Sequence, residues 1–443
     1  MSEQKRSEAQ RIIENLVSSA KQKAEPAKDK LLTTETWIKY FPVSVTRDED
    51  GRITGSQMST ETVEKPSWYR LSIWLSEQFA KTSEFQEALS LLSKAYGMNS
   101  EQLVHPLTSF LTDMILERSR NGNMDILLND LECKPCEWKT TVRLVGVFPD
   151  SSIRLSDGVT LRRVEDSDLS FEIPPGIPMA GRDELMEFPE SIMDISLLES
   201  YPNAVQKKVE RLCILLSLFK ESSAHYESYT MRVKSYLRFG GGTSRRIVPP
   251  AGEPRAVIHD NESSDLAKFI QQFEHKIPDA VLWGKIVDPL EIAIKRYLES
   301  VRENSPIEER LTTAVMGLEA LFLEEVSELR FRLALRTAQI LKYLGENSQD
   351  VYDTVSKAYR YRSSHVHGSI LSDKDALEVQ GVTKKIWKYL RKSLLFWLAE
   401  GIASENKKKQ LLKDIDSSLI DDVKREALKS RIEAAKLMMK GAL

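Results

Sequence analysis

Tyr359-Arg-Tyr-Arg-Ser-Ser-His-Val-His-Gly368 packs Arg362, His365 and His367 into six residues and closes on a glycine. Apolar residues recur at helical spacing on both sides of it. Upstream, Val351, Val355, Ala358 and Tyr359 form one short stripe. Before that, Ile307, Leu311, Val315, Leu318, Phe322, Val326, Leu329 and Leu333 recur in steps of four and three, a period near 3.6. Glu324-Glu325 and Ser327 suggest a break that divides this long pattern into two helices. Downstream, Ser372-Asp-Lys-Asp375 reads as a capping box. It leads into Val382, Ile386, Tyr389, Leu390, Leu394 and Trp397, with Gly401 as the stop. Two further helical stretches, Asp265 to Phe273 and Asp288 to Val301, precede the long pattern. Residues 261–402 therefore read as an all-α domain of packed helices. The Lys/Glu/Asp-rich residues 403–443 read as a helical tail at the periphery.

The chain before this domain changes texture twice. Residues 1–130 read as a helical region: Ile12, Ile13, Leu16 and Val17 sit at helical spacing up to Pro26, and periodicity returns from Trp68 to Ser119. Between them residues 44–65 read as loop or a short hairpin at Asp50-Gly51. Residues 131–260 read as a small β or α/β module. Thr140 to Phe148 is β-branched, and Ser156-Asp157-Gly158 joins two alternating runs as a hairpin. Ile173-Pro-Pro-Gly-Ile-Pro178 interrupts, Leu212 to Phe219 suits a buried strand or core helix, and Tyr226 to Tyr236 is Tyr-rich. The fold class expected is mainly α, with a sheet-containing middle.

Composition narrows the function classes. At 443 residues the chain is long enough for two or three domains, and 41% hydrophobic with 29% charged residues is a globular balance. A net charge of −3 means that any nucleic-acid site is a local patch. Three cysteines do not make a disulfide framework, and the polar Met-Ser-Glu-Gln-Lys-Arg start leads into no apolar segment. A cytoplasmic protein without a membrane partner is the expectation.

On a helix ending at Gly368, about 100° per residue puts Arg362 on the stripe of Val351, Val355 and Ala358. His365 falls about 60° from Arg362 and His367 about 140° from it. A guanidinium on a packing face needs a carboxylate partner or lines an anion-binding cleft. Gly368 suits the position just past the helix end, which brings both imidazoles into the last turn, where the dipole favours cationic groups. Glu319 and Arg336 lie within the long apolar pattern. They are candidate partners for each other or for Arg362 and His367, and a structural salt bridge is the alternative. Cys133-Lys-Pro-Cys136 is half of a zinc site at most, with Cys213 and His225 as distant candidates, and an ordinary turn is the simpler reading. Gly240-Gly-Gly-Thr-Ser-Arg-Arg246 lacks the Gly-Lys-Ser/Thr of a phosphate loop and reads as a surface loop.

Arg362-Ser-Ser-His-Val-His367 has the Arg-x4-His spacing of HEPN domains, small helical domains that often act as metal-independent RNases. Its setting resembles the Apea-like branch of that superfamily, with the Tyr-x-x-Arg-Ser…His-Gly signature in Tyr359 to Gly368. Gly317-Leu-Glu-Ala-Leu-Phe322 and Leu333-Ala-Leu-Arg-Thr-Ala-Gln-Ile340 resemble its upstream helices. The resemblance covers residues 300–400, and residues 1–130 match nothing in it.

This resemblance implies an endoribonuclease that leaves 2′,3′-cyclic phosphate and 5′-OH ends without metal or cofactor. His367 would be the general base or acid and Arg362 the phosphate clamp. Glu319, Arg336, Ser363, His365 and Tyr359 would support them, with His365 in reserve. It further implies a site shared across a homodimer or higher homo-oligomer, RNA (tRNA or mRNA) as the partner, and an effector role in antiviral defence or stress. The N-terminal region would then sense an unknown trigger. Ser363 stands where many active members carry Asn. The alternatives are a non-catalytic HEPN module that binds nucleotide or RNA or dimerises, and a metal-dependent hydrolase using His365, His367 and the cysteines.

Overall fold

The computed structural model describes residues 3–49, 51–67, 69–117, 122–173, 189–238, 242–244, 254–283, 285–286, 288–302, 304–324, 327–368, 373–402 and 404–443. Asp50, Trp68, Asn121, Pro174–Pro178 of the proline-rich run, Gly240, Gly241, Arg245, Arg246, Glu325, Val326 and Ser372 lie outside these residues.

The fold is mainly α, with sheets in the N-terminal and middle parts of the chain. Helix α1 (Glu3–Ala24) and a short α2 (Lys28–Leu31) precede a long hairpin, β1 (Thr33–Arg47) and β2 (Ile53–Ser67). Then come α3 (Tyr69–Glu77), α4 (Ser83–Tyr96), α5 (Ser100–Ile115) and α6 (Asn123–Leu131). Ile13, Leu16, Phe79, Phe85, Leu92, Leu107 and Phe110 build one core among these helices. The expectation of a helical region over 1–130 needs correcting at the hairpin, which is far longer than a turn at Asp50-Gly51. The tip is where the sequence puts it, with Gly51 at φ +85° donating to Asp48 O. The strands escape notice because no described residue in either is buried, so no apolar face imposes a period of two on the sequence.

The middle of the chain holds β3 (Cys136–Val145), β4 (Val147–Pro149), β5 (Ile153–Ser156), β6 (Val159–Arg162), β7 (Phe171–Ile173), β8 (Ser191–Glu199), helix α7 (Pro202–Phe219), β9 (His225–Val233), β10 (Gly242–Ser244) and β11 (Ala256–Ile258). Six of these strands form a sheet in the order β10-β9-β3-β8-β6-β5, antiparallel throughout, while β7 joins β1 and β11 pairs in parallel with β4. Along β3, Trp138, Thr140, Val142 and Leu144 point into the core, and Glu137, Lys139, Thr141 and Arg143 point the other way. Gly146 ends β3 at φ +83°, where a Cβ would stand 2.7 Å from the Ser223 carbonyl carbon, so only glycine fits. The Leu212–Phe219 run is the buried end of α7, a helix and not a strand.

Helices α8 (Ser263–Phe273), α9 (Asp279–Trp283), α10 (Pro289–Arg302), α11 (Ile307–Phe322), α12 (Leu329–Leu341), α13 (Ser348–Val366) and α14 (Asp373–Glu400) follow, then α15 (Glu405–Ser417) and α16 (Asp422–Met438). The long apolar pattern does divide: α11 stops at Phe322 and α12 restarts after Glu328, at φ +55°. One core runs from the sheet through α7 into this bundle. The C-terminal carbonyls of α7 fix that joint. Arg391 of α14 donates to Leu218 O, Phe219 O and Ala442 O at 2.8, 3.0 and 2.6 Å, and Tyr297 of α10 donates to Ser217 O at 2.9 Å. The tail is helical but not peripheral. Leu411, Leu412, Ile415, Leu428, Ile432 and Met439 belong to the same core, which is why a charged segment can hold its place.

Candidate active site at the end of helix α13

Helix α13 starts on Asn347, whose side chain accepts from Asp350 N at 3.0 Å, and ends at Val366 with His367 as the cap. Gly368 follows at φ +71°, donating to His365 O at 3.1 Å, the left-handed exit that glycine permits. Val351, Val355 and Ala358 are fully buried, and Tyr361 extends the buried face.

Arg362 is brought to Glu319 by the packing of α13 on α11. Its Nη2 lies 3.4 Å from Glu319 Oε2, and the two side chains keep 25% and 19% of their exposure. The Tyr359 ring lies beside the guanidinium, with 5.8 Å between the ring centre and the guanidinium carbon. Arg362 Nε is buried with no hydrogen-bond partner, an outstanding donor in a cationic group. Burial pushes the Glu319 carboxyl above its ordinary value, against the pull of Arg362. The Tyr359 hydroxyl is raised too, first by burial and then by Glu319.

His365 and His367 are both exposed, Ser363 is half-exposed beside Arg362, and Val366 between the histidines keeps 55% of its exposure. Neither imidazole has a hydrogen-bond or carboxylate partner among the described residues. Among the described residues nothing fixes which ring nitrogen carries the proton. Arg362 is anchored and half-sheltered, while the imidazoles stand in solvent.

Arg336 belongs elsewhere. It is 2% exposed and forms a bidentate pair with Asp416 of α15, Nε to Oδ1 at 2.9 Å and Nη2 to Oδ2 at 2.7 Å. Its Nη1 also donates to Phe322 O at 2.8 Å, closing the C-terminal end of α11. The break between α11 and α12 takes it off the line of Glu319, so it supports the site only by holding the helix that carries Glu319. The cysteines are scattered: Cys133 in the turn after α6 at φ +54°, Cys136 opening β3, Cys213 inside α7. His225 is buried in β9 with Nδ1 2.6 Å from Ser223 O. Among the described residues no three His, Cys, Asp or Glu side chains gather in a metal-holding cluster. No helix among them is long and apolar enough to cross a membrane.

Two features escaped the sequence reading. Asp375 of α14 also serves α13, accepting from Tyr361 Oη at 2.7 Å and Arg360 Nη2 at 3.1 Å. Beside Tyr359 lies an open depression of about 460 Å³ lined by Glu328, Leu329, Arg330 and the half-exposed Phe331. Phe331 falls between Leu329 and Leu333, off the stripe; an aromatic so placed was the available signal.

No protein-family model matches the chain, and no curated protein or solved structure does.

Proposed function

We propose that the chain is a metal-independent endoribonuclease of the HEPN type, with Arg362 and His367 as its working pair. The observation that carries this reading is the state of Arg362: held against Glu319 and half-buried, with part of its side chain open to solvent. A guanidinium anchored by a carboxylate, with a quarter of its side chain still open to solvent, suits a phosphodiester oxygen. Arg330 and the aromatic rings of Tyr359 and Phe331 line the neighbouring depression, where bases can stack.

The chemistry is a transesterification. An imidazole takes the proton of the 2′-OH, the 2′-oxygen bonds to phosphorus, and the P–O5′ bond breaks. The leaving oxygen takes a proton from an imidazolium. The products are a 2′,3′-cyclic phosphate and a 5′-OH end. Arg362 neutralises the charge that gathers on the non-bridging oxygens, and His367 moves the proton. The exposed imidazoles, without a partner among the described residues, favour a site completed by a second copy of the chain or by the RNA itself, either of which would fix the ring tautomer. A role as an RNA-cleaving effector in defence or stress, with residues 1–130 responding to a trigger, extends the same reading.

The test is incubation of purified chain with labelled tRNA or total RNA in EDTA. Cleavage with cyclic-phosphate ends that His367→Ala lowers by about 10²- to 10⁴-fold supports the proposal. Equal degradation by wild type and variant overturns it. A second reading, a non-catalytic HEPN module, draws on Ser363 and the exposed imidazoles. It predicts RNA binding that survives His367→Ala with no cleavage of any RNA.

A further inference from the structure

On the face of the six-stranded sheet turned away from the core, β3, β9, β8 and β6 floor a groove of about 960 Å³ with Trp37 of the hairpin at its wall. That is the size of a small-molecule site. Its floor is polar, and most of its charge is already spoken for. Asp168 accepts from Arg162 at 2.7 and 2.9 Å, and Asp194 accepts from Arg162 Nε at 2.7 Å and Thr141 Oγ1 at 3.2 Å. Glu137 accepts from Ser196 Oγ at 2.9 Å, while Arg143 reaches Glu227 at 3.3 Å and Asp168 O at 3.1 Å.

Two cations remain. Lys139 and Arg232 are direct register partners on β3 and β9, so their side chains leave the sheet side by side. Lys139 Nζ comes only to 3.9 Å from Glu137, and Arg232 has no partner among the described residues. Like charges directly opposed across a strand pair are unfavourable, and an anion between them reverses the sign of that interaction. Thr230, which faces Thr141 as the next same-face pair in register, adds a hydroxyl alongside as a further donor, while Thr141 is held by Asp194. Trp37, half-buried with Lys65 Nζ 4.6 Å from its ring centre, supplies an aromatic wall.

We propose that this groove binds a nucleotide, with its phosphate between Lys139 and Arg232 and its base against Trp37. The inference does not depend on the cleavage reading, because the groove is built from the sheet and hairpin and uses no residue of α11 or α13. Free nucleotides and single strands share the recognised chemistry, so AMP and a hexathymidylate serve as separate probes. The latter lacks the 2′-OH needed for the cleavage chemistry.

Titration calorimetry on the full chain at low salt, with each probe, is the experiment. Saturable binding of AMP is expected, weakened at least about tenfold in Lys139→Gln/Arg232→Gln and about tenfold in Trp37→Leu. Both cations are exposed, so unchanged thermal unfolding is expected to accompany the loss. Binding of the hexathymidylate but not AMP, with the same dependence on Lys139 and Arg232, identifies a strand as the source of the nucleotide. Absence of saturable binding for both probes, or binding equal in wild type and the double variant, overturns the proposal.

Discussion

Glu319 of α11 and Arg362 of α13 meet 3.4 Å apart, both more than three-quarters or about three-quarters withdrawn from solvent. The pair orients the one guanidinium that the RNA-cleaving proposal depends on. Glu319→Ala leaves Arg362 without its anchor and is expected to lower cleavage about 10- to 100-fold while RNA binding changes less. Single-turnover cleavage rates beside filter binding of the same RNA check it, and an unchanged rate counts against a positioning role.

The same pair has a pH signature. Burial raises the Glu319 carboxyl above its ordinary value. A carboxyl raised in the fold holds its proton more tightly there than in the unfolded chain. The stability it contributes is therefore full below the unfolded value and is lost as pH rises through the folded one. Relative to wild type, Glu319→Gln should gain stability as pH rises through and above the ordinary glutamate range. Urea midpoints across that range measure the gap, and a gap that does not move with pH contradicts the assignment.

A composite site predicts complementation. Arg362→Ala and His367→Ala are each expected to inactivate the chain alone and, mixed after subunit exchange, to recover part of the cleavage, since in a dimer with two such sites one would keep both groups. A mixture as inactive as its components, with exchange demonstrated, places the two residues in one chain's site.

Asp416 neutralises a buried charge. Asp416→Ala removes this bidentate carboxylate from Arg336 and is expected to destabilise the chain by about 2–3 kcal/mol, read from chemical denaturation. The part-exposed Asp416 sets that figure below the cost for a fully buried pair. Loss of stability with retained RNA end chemistry in the surviving fold separates Arg336 from the residues that touch substrate.

Gly317 lets α11 approach α14. A Cβ there would stand 2.7 Å from Leu390 Cδ2, on a fully buried leucine, and 3.3 Å from Arg296 Cβ. Gly317→Val should cost about 2–3 kcal/mol of stability and disturb the adjacent Glu319. A melting point equal to wild type contradicts that packing argument.

Sequence alone determined the features that are local. The periods of α11, α12 and α13, the exit at Gly368, the break before α12 and the Ser156-Asp157-Gly158 turn all follow from neighbours within a few residues. Tertiary structure decided the rest. The β1–β2 hairpin buries no described residue and so carries no pattern of its own, and the tail is charged outside yet apolar where it meets the bundle. Arg336 shows the limit most directly. Its place in an apolar stripe announced a partner, but the choice between Glu319 nearby and Asp416 eighty residues on was made by the docking of α15. The pairing of Glu319 with Arg362, and of Lys139 with Arg232 across a strand pair, is likewise a product of packing. A side chain's type fixes what it can bind, and only the fold fixes what it meets.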